Sequence, residues 1–426
     1  MLLTLYGLAS RLSDDVGERR VMFLLAALGS GLGWLVGAMG VMTSDLWVQE
    51  AFPAYALLAN AHFPLAIGLM VVMVNCELRI ANSEWRMANG GQREWLWGLG
   101  MVLSAVGLGV VQPFGLVPVF GGLGMALVVR TVRARRAPWR AVVWVTGAGA
   151  IASPYPLYMR WAIRADPVLA AWNVQNMTPS PPLWDWALSY GLVLVLAALG
   201  AVLAARRGSG GDWLLLGWAG VTLVGMYLPL PLQRRLSLGL GVPLGLLAGM
   251  GWWRVVRPRV GARRRGLLQG AMVTFCALTP VFLVLMTLLA ALAGEPWFYL
   301  SEGEWAALEW LRDEGQPDAV VLCAPQMGLF VPAWAGQPVV YGHPFETVDA
   351  EQRKAQMRAF WAGDMDLAER EVFLQENRVG YVLAGPRELE IGDWRLEVGG
   401  WRLEIGELEG KPVFEANGVR VYEVTR

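Results

Sequence analysis

Residues 187–207 read ALSYGLVLVLAALGAVLAARR, an apolar run without a charge until Arg206 and Arg207 close it. As a helix rising about 1.5 Å per residue, such a run crosses most of about 30 Å of hydrocarbon, and its terminal arginines belong at a headgroup surface. Eight further apolar stretches have the same character, near 21–42, 62–78, 95–111, 114–129, 141–159, 213–229, 236–253 and 267–292. The third and fourth of the nine in chain order are short and could form a broken pair around Gln112-Pro113. Residues 1–294 therefore read as an α-helical polytopic membrane bundle of about nine spans. Residues 295–426 read as a small soluble α/β domain.

Composition supports the division. The chain is 55% hydrophobic and 16% charged, with a mean hydropathy of +0.43, whereas soluble domains carry about 25% charged residues. Its net charge of zero hides an asymmetry: residues 1–294 hold 23 Arg against 11 acidic residues, and residues 295–426 hold 12 basic against 24 acidic. Two segments in different solvents account for that better than one. All but two of the 35 basic residues are Arg, which together with abundant Gly, Ala and Trp points to a bacterium with a GC-rich genome. The three cysteines are scattered and the two histidines are too few for a His-based zinc site.

Arginine placement orients the bundle. With a cytoplasmic N-terminus, the inside loops of a nine-span arrangement hold 19 Arg and the outside loops hold Arg160, Arg164, Arg234 and Arg235. The C-terminal domain is then extracytoplasmic, at a bacterial inner membrane. Arg234 and Arg235 follow Leu228-Pro-Leu-Pro-Leu-Gln233, on the face where Arg is otherwise avoided. Two readings stay open: interfacial arginines snorkelling to headgroups, or a fork for phosphate oxygens. The same pair of readings applies to Arg160 and Arg164. Mid-membrane charge is nearly absent, which disfavours an ion-coupled transporter.

The outer loops carry the remaining chemistry. Loop 43–61 holds Asp45 and Glu50, with His62 just beyond; loop 160–186 holds Asp166, Asp185, Asn173, Gln175 and Asn176 among tryptophans. Carboxylates with amides and aromatic faces suit a sugar, and a carboxylate can take an acceptor's proton. The alternative is capping and interfacial anchoring, with Asp166-Pro167 as a helix start. In the C-terminal domain, helices are expected over 302–314, 349–362 and 366–377, strands over 319–324, 338–341 and 379–384, and a hairpin at Asn417-Gly418. Residues 394–399 (WRLEVG) recur at 401–406 (WRLEIG), read as a strand-pair duplication. No dinucleotide fingerprint, P-loop or nucleophile elbow is present. Gly342-His343-Pro344-Phe345-Glu346 has some chemical reach but reads first as a structural loop.

Several phrases together resemble bacterial members of the GT-C glycosyltransferase superfamily. They are Leu24 to Val36 (LLAALGSGLGWLV), Asp45-Leu-Trp47, Asn60-Ala-His62-Phe-Pro64, Gln112-Pro-Phe114, Asp166 to Pro182, Gln233-Arg-Arg235 and Val339 to Phe345. The resemblance implies a polyprenyl-phosphate-linked sugar as donor, with the lipid phosphate near Arg234 and Arg235 and Arg160 or Arg164 assisting. It implies an acidic residue in an outer loop acting as base or holding a divalent metal. Asp45, Glu50 and Asp166 are the candidates, with His62, Gln233, Asn173 and Gln175 toward substrate. The opening MLLTLYGLASRLSDD resembles the tail of an earlier span, so the expectation is that the superfamily's first spans and their acidic loop are missing. The functional expectation is sugar transfer from a polyprenyl-phosphate carrier to an extracytoplasmic acceptor, with membrane lipids as partners and no nucleic acid. The alternative is a non-catalytic membrane protein whose outer domain binds a partner or envelope polymer.

Overall fold

The computed structural model describes residues 1–85, 91–229, 232–389 and 412–424. The chain forms two compact units: Met1–Ala162 with Met177–Thr287, and Ile163–Asn176 with Leu288–Arg426.

The first unit is helical. The longer helices of the chain as far as Leu292 are α1 (Leu2–Leu12), α2 (Val16–Leu28), α3 (His62–Trp85), α4 (Gly91–Val111), α5 (Leu116–Ala134), α6 (Trp139–Ala152), α7 (Pro154–Ala165, which runs into the second unit), α8 (Pro167–Gln175, wholly in the second), α9 (Leu183–Arg207), α10 (Gly210–Gly225), α11 (Gly241–Met250), α12 (Ala262–Cys276) and α13 (Leu278–Leu292, which belongs to the second unit from Leu288). Among the described residues, six helices are long and apolar enough to cross a membrane, or seven if α12 and α13, bent by 47°, count as one span. The chain is a membrane protein, with fewer such helices than the nine expected.

The reason is local. Stretch 141–159 divides at Ser153, ahead of Pro154, into α6 of 14 residues and α7 of 12. Proline fits the first turn of a helix but cannot continue one from before it. Stretch 213–229 stops at Gly225, leaving α10 with 16 residues. Hydropathy counts the apolar residues but does not register where the backbone bends.

The span Arg234–Arg259 is the most deeply buried. Small residues let it sit against its neighbours. A Cβ on Gly245 would stand 2.3 Å from the Ala26 Cα of α2, and one on Gly249 would stand 2.5 Å from the Met22 Cα. On another side, Gly251 meets the Leu196 carbonyl of α9, and Gly200 of α9 meets the Leu247 carbonyl. Between apolar helices in lipid, this close backbone approach supplies the packing that water cannot drive.

Three spans are interrupted where they meet. The first leaves α-geometry around Gly29–Leu32, the second turns at Gly191 (φ 45°), and the third bends at Ala277. They share the backbone groups these breaks release: Leu32 N–H donates to the Leu188 carbonyl at 2.9 Å and Ser30 N–H to the Cys276 carbonyl at 2.8 Å. Such backbone is tolerated at membrane depth only when protein covers and satisfies it.

The second unit is an α/β layer structure. Strands β1 (Val320–Leu322), β2 (Val379–Ala384), β3 (Phe414–Ala416) and β4 (Val419–Glu423) form one mixed sheet in the order β1-β2-β4-β3. The β1–β2 pair is parallel; β2–β4 and β3–β4 are antiparallel. The expected strand at 338–341 is reduced to one parallel bridge, Val321 to Val339. The β3–β4 hairpin turns at Asn417 (φ 45°) and Gly418 (φ 80°), where two consecutive positive φ values suit the Asn-Gly pair. Alternation splits the sheet's side chains. Leu322 and Val382 pack with Phe360 and Phe373 on one face, while Val321, Tyr381 and Leu383 pack with Leu308 and Leu311 on the other. The helix Glu302–Glu314 opens on a capping box of Ser301 and Glu304. The repeat at 394–406 lies outside the described residues.

Candidate functional site

The loop after the first span carries two acidic candidates with different surroundings. Asp45 is 1% exposed. Its Oδ2 accepts from Gly33 N–H (3.0 Å), Gly31 N–H (3.3 Å) and the Thr279 hydroxyl (2.9 Å), and its Oδ1 accepts from the Thr43 hydroxyl (2.7 Å). The carboxylate therefore plugs the junction of the interrupted spans and caps the short turn Gly33–Val36. Burial pushes its pKa up, and these four hydrogen bonds oppose that. Asp185 plays a matching part: it accepts from Ser44 N–H at 2.7 Å, from the Ser44 hydroxyl at 3.0 Å and from the Ser189 hydroxyl at 2.9 Å.

Glu50 lies on the same loop, also buried. Aromatic packing holds it in place, since Phe52 stacks on Tyr190 at 4.6 Å and on Trp186 at 6.4 Å. The Tyr190 hydroxyl donates to the Ala51 carbonyl at 3.0 Å, and Gly239 N–H donates to the Glu50 carbonyl at 3.0 Å. Glu50 Oε1 then accepts from Arg234 Nε at 3.2 Å. The Arg234 guanidinium lies 4.8 Å from the Trp47 ring centroid. Anchored by the carboxylate below and the indole face, Arg234 keeps its Nη groups without a protein acceptor among the described residues.

The turn bearing Arg234 is itself braced. Arg234 N–H donates to the Thr178 carbonyl at 3.0 Å, and the Gln233 amide accepts from Ser180 N–H and donates to the Leu228 carbonyl. Tyr227 donates to the Pro181 carbonyl at 2.6 Å. Arg235 packs over Phe114, 5.3 Å from its centroid. Two loops far apart in sequence thus bring Glu50, Trp47, Arg234 and Gln233 together, with Arg235 alongside.

The other expected site residues stand elsewhere. Asp166 caps α8, accepting from Val168 and Leu169 N–H at 2.8 and 3.1 Å. Gln175 belongs to the second unit, where it donates to the Thr347 carbonyl and accepts from Asp349 N–H, while Asn176 donates to the Phe345 carbonyl. Two phrases singled out in the sequence, the outer loop and His343–Glu346, are thereby joined within one unit. Asn173 is half-buried on α8 and makes no side-chain hydrogen bond among the described residues. His62 is exposed, against Phe63. Arg160 and Arg164 are exposed on α7.

A divalent ion was an open expectation, and Asp45 and Asp185 do not fit one. No group of three or more His, Cys, Asp or Glu converges among the described residues. The Asp45 and Asp185 oxygens face N–H and O–H donors, which present positive charge where a cation would need lone pairs. Sequence reasoning missed Trp47 as the face under Arg234, and Asp185 as the partner of Ser44. The only signals were an aromatic residue near an acidic one and an acid in a helix's first turn.

Fold and site together define a helical membrane protein with an α/β unit and an anchored arginine turn beside a buried loop. In fold the chain is similar to an archaeal oligosaccharyltransferase. It matches AglB from Archaeoglobus fulgidus, in complex with an inhibitory peptide and a dolichol-phosphate, with a TM-score of 0.51 and 12% identity over 91% of this chain and 57% of that one. The Archaeoglobus fulgidus oligosaccharyltransferase in complex with Zn and sulfate gives 0.52 and 13%, over 90% and 54%. The likeness is one of fold, and the chain spans a little over half the length of the structures it matches. No family model and no curated protein matches the chain.

Proposed function

We propose that this protein is a GT-C-like membrane glycosyltransferase that takes a sugar from a polyprenyl-phosphate donor. The observation that carries the reading is Arg234, held by Glu50 and Trp47 with its Nη donors uncommitted. A guanidinium fixed at its Nε presents its remaining N–H groups as a preorganised fork for phosphate oxygens. Arg235 is assigned to the same phosphate. Glu50 Oε2, which no described donor engages, is assigned to the acceptor. The acceptor oxygen passes its proton to this carboxylate as it bonds the anomeric carbon. The bond from that carbon to the phosphate oxygen breaks, and the charge released on the lipid phosphate is held by the arginines. Asp45 is assigned to the span junction and Asp166 to the cap of α8, and neither takes a step. The cellular setting that fits is a bacterial inner membrane, with the arginine-rich span ends cytoplasmic and the acidic domain extracytoplasmic.

A second reading is favoured by the saturated oxygens of Asp45 and Asp185: a membrane protein that binds a lipid-linked phosphate or envelope partner without transferring it. One assay separates the two. Purified protein is mixed with a labelled polyprenyl-phosphate sugar, and both retention of the lipid and release of the label onto an acceptor are measured. Transfer that Arg234→Ala abolishes supports the enzyme; retention without transfer supports the binder; retention unchanged by Arg234→Ala removes the phosphate assignment from both.

A further inference from the structure

The opposite end of α9 from Asp185 carries a second polar feature of the membrane unit. A cavity of about 320 Å³ opens there, lined by Arg11, Leu78, Ala81, Arg130, Arg207 and Gly210 among others. Its walls come from the C-terminal ends of α1, α5 and α9, the later turns of α3 and the first turn of α10. Glycine makes room for the cations. A Cβ on Gly210 would lie 2.4 Å from Arg130 Nε, and one on Gly208 would lie 2.2 Å from Arg133 Nη1, so both guanidiniums rest on bare backbone.

The charge of this corner is unbalanced among the described residues. Its carboxylates are already matched: Glu77 with Arg130, Asp212 with Arg207, and Glu18 with Arg254. Among the described residues, Arg11, Arg79 and Arg133 are left without an acidic partner. Arg79 lies over Trp97 at 3.8 Å, and Arg133 donates to the Gly208 carbonyl. Arg11 Nη1 donates to the Gly7 carbonyl at 3.2 Å, but its Nε is buried with no hydrogen-bond partner. Burial first, and then Arg79, pull the pKa of Arg11 down. A bound anion would relieve both penalties and satisfy the orphaned N–H.

We propose that this cavity binds a phosphate group, presented by the headgroup of an anionic membrane phospholipid or by a soluble phosphate. Basic pockets between span ends are the usual setting for such headgroups. The proposal does not rest on the glycosyltransferase reading, because it concerns other residues at the other end of α9.

The test uses the full chain, delipidated and reconstituted in phosphatidylcholine vesicles. Its Tm is followed as phosphatidylglycerol is added to the membrane, or as inorganic phosphate is added at constant ionic strength. The expected result is a saturable rise in Tm, with apparent affinity about tenfold weaker in Arg11→Gln and largely kept in Arg11→Lys. A rise with phosphatidylglycerol alone assigns the site to a lipid headgroup; a rise with phosphate as well assigns it to phosphate from either source. Ala81→Leu fills the cavity without touching a charge and is expected to weaken the effect too, so it carries the test should Arg11→Gln fail to fold. No rise on either arm overturns the proposal, as does an equal rise in wild type, Arg11→Gln and Ala81→Leu.

Discussion

Asp45 and Glu50 share one loop, and the regions they enter differ in kind. Around Asp45, three interrupted spans converge, and every direction from the carboxylate ends on a backbone N–H or a hydroxyl. Around Glu50 the partner is a single arginine that still has donors to offer. The first arrangement consumes a carboxylate's hydrogen-bonding capacity to hold backbone together. The second uses a carboxylate to aim a cation. An acidic residue in an outer loop is therefore not a functional statement until its donors are known.

The comparison can be broken at its strong end first. Asp45→Ala strips the acceptor from two backbone N–H groups and two hydroxyls, so a destabilisation of about 4 kcal/mol is expected by denaturant titration in detergent. If Asp45→Asn instead kept full stability and lost only sugar transfer, the assignment of Asp45 to structure would fail.

A third buried carboxylate extends the contrast into the second unit. Among the described residues, Glu388 accepts from Ala324 N–H at 2.6 Å and Gly385 N–H at 2.9 Å with no cation on it, and burial pushes its pKa up to about 7. The folded state therefore holds the proton more tightly than the unfolded chain. Its stabilising contribution is full below about pH 4.5 and is lost as pH rises through about 7, a swing of about 3 kcal/mol. Melting the full chain between pH 5 and 8 should show this unit weakening, and Glu388→Gln should flatten the slope. A slope unchanged by Glu388→Gln would place the titrating group elsewhere.

At the arginine turn the expected effects are smaller and fall on binding. Arg234→Ala should weaken retention of a polyprenyl phosphate by about 2 kcal/mol, roughly thirtyfold, and should also lower Tm, because it leaves the buried Glu50 carboxylate unpaired. Arg234→Lys, which keeps charge but loses the fork, should fall between. Trp47→Ala removes only the aromatic face and should cost about 1 kcal/mol in the same binding measurement. Should Trp47→Ala weaken retention more than Arg234→Ala, the indole would be contacting the ligand itself, and the guanidinium would be the lesser anchor.

The apolar runs, the arginine-rich span ends and the acidic tail declare a membrane bundle followed by an α/β unit. They do so because partition between lipid and water depends on composition over a window, whatever the windows later touch. Short-range signals are equally local: Ser301 with Glu304 writes a capping box, and Asn417-Gly418 writes a turn with two positive φ values. The span count was less legible, because the break before Pro154 and the stop at Gly225 alter helix length without altering hydropathy. The partners of Asp45 and Glu50 were decided only by tertiary structure. Thr279 and Arg234 are remote in sequence from the loop they meet, and a carboxylate's function is set by which donors surround it once the chain has packed.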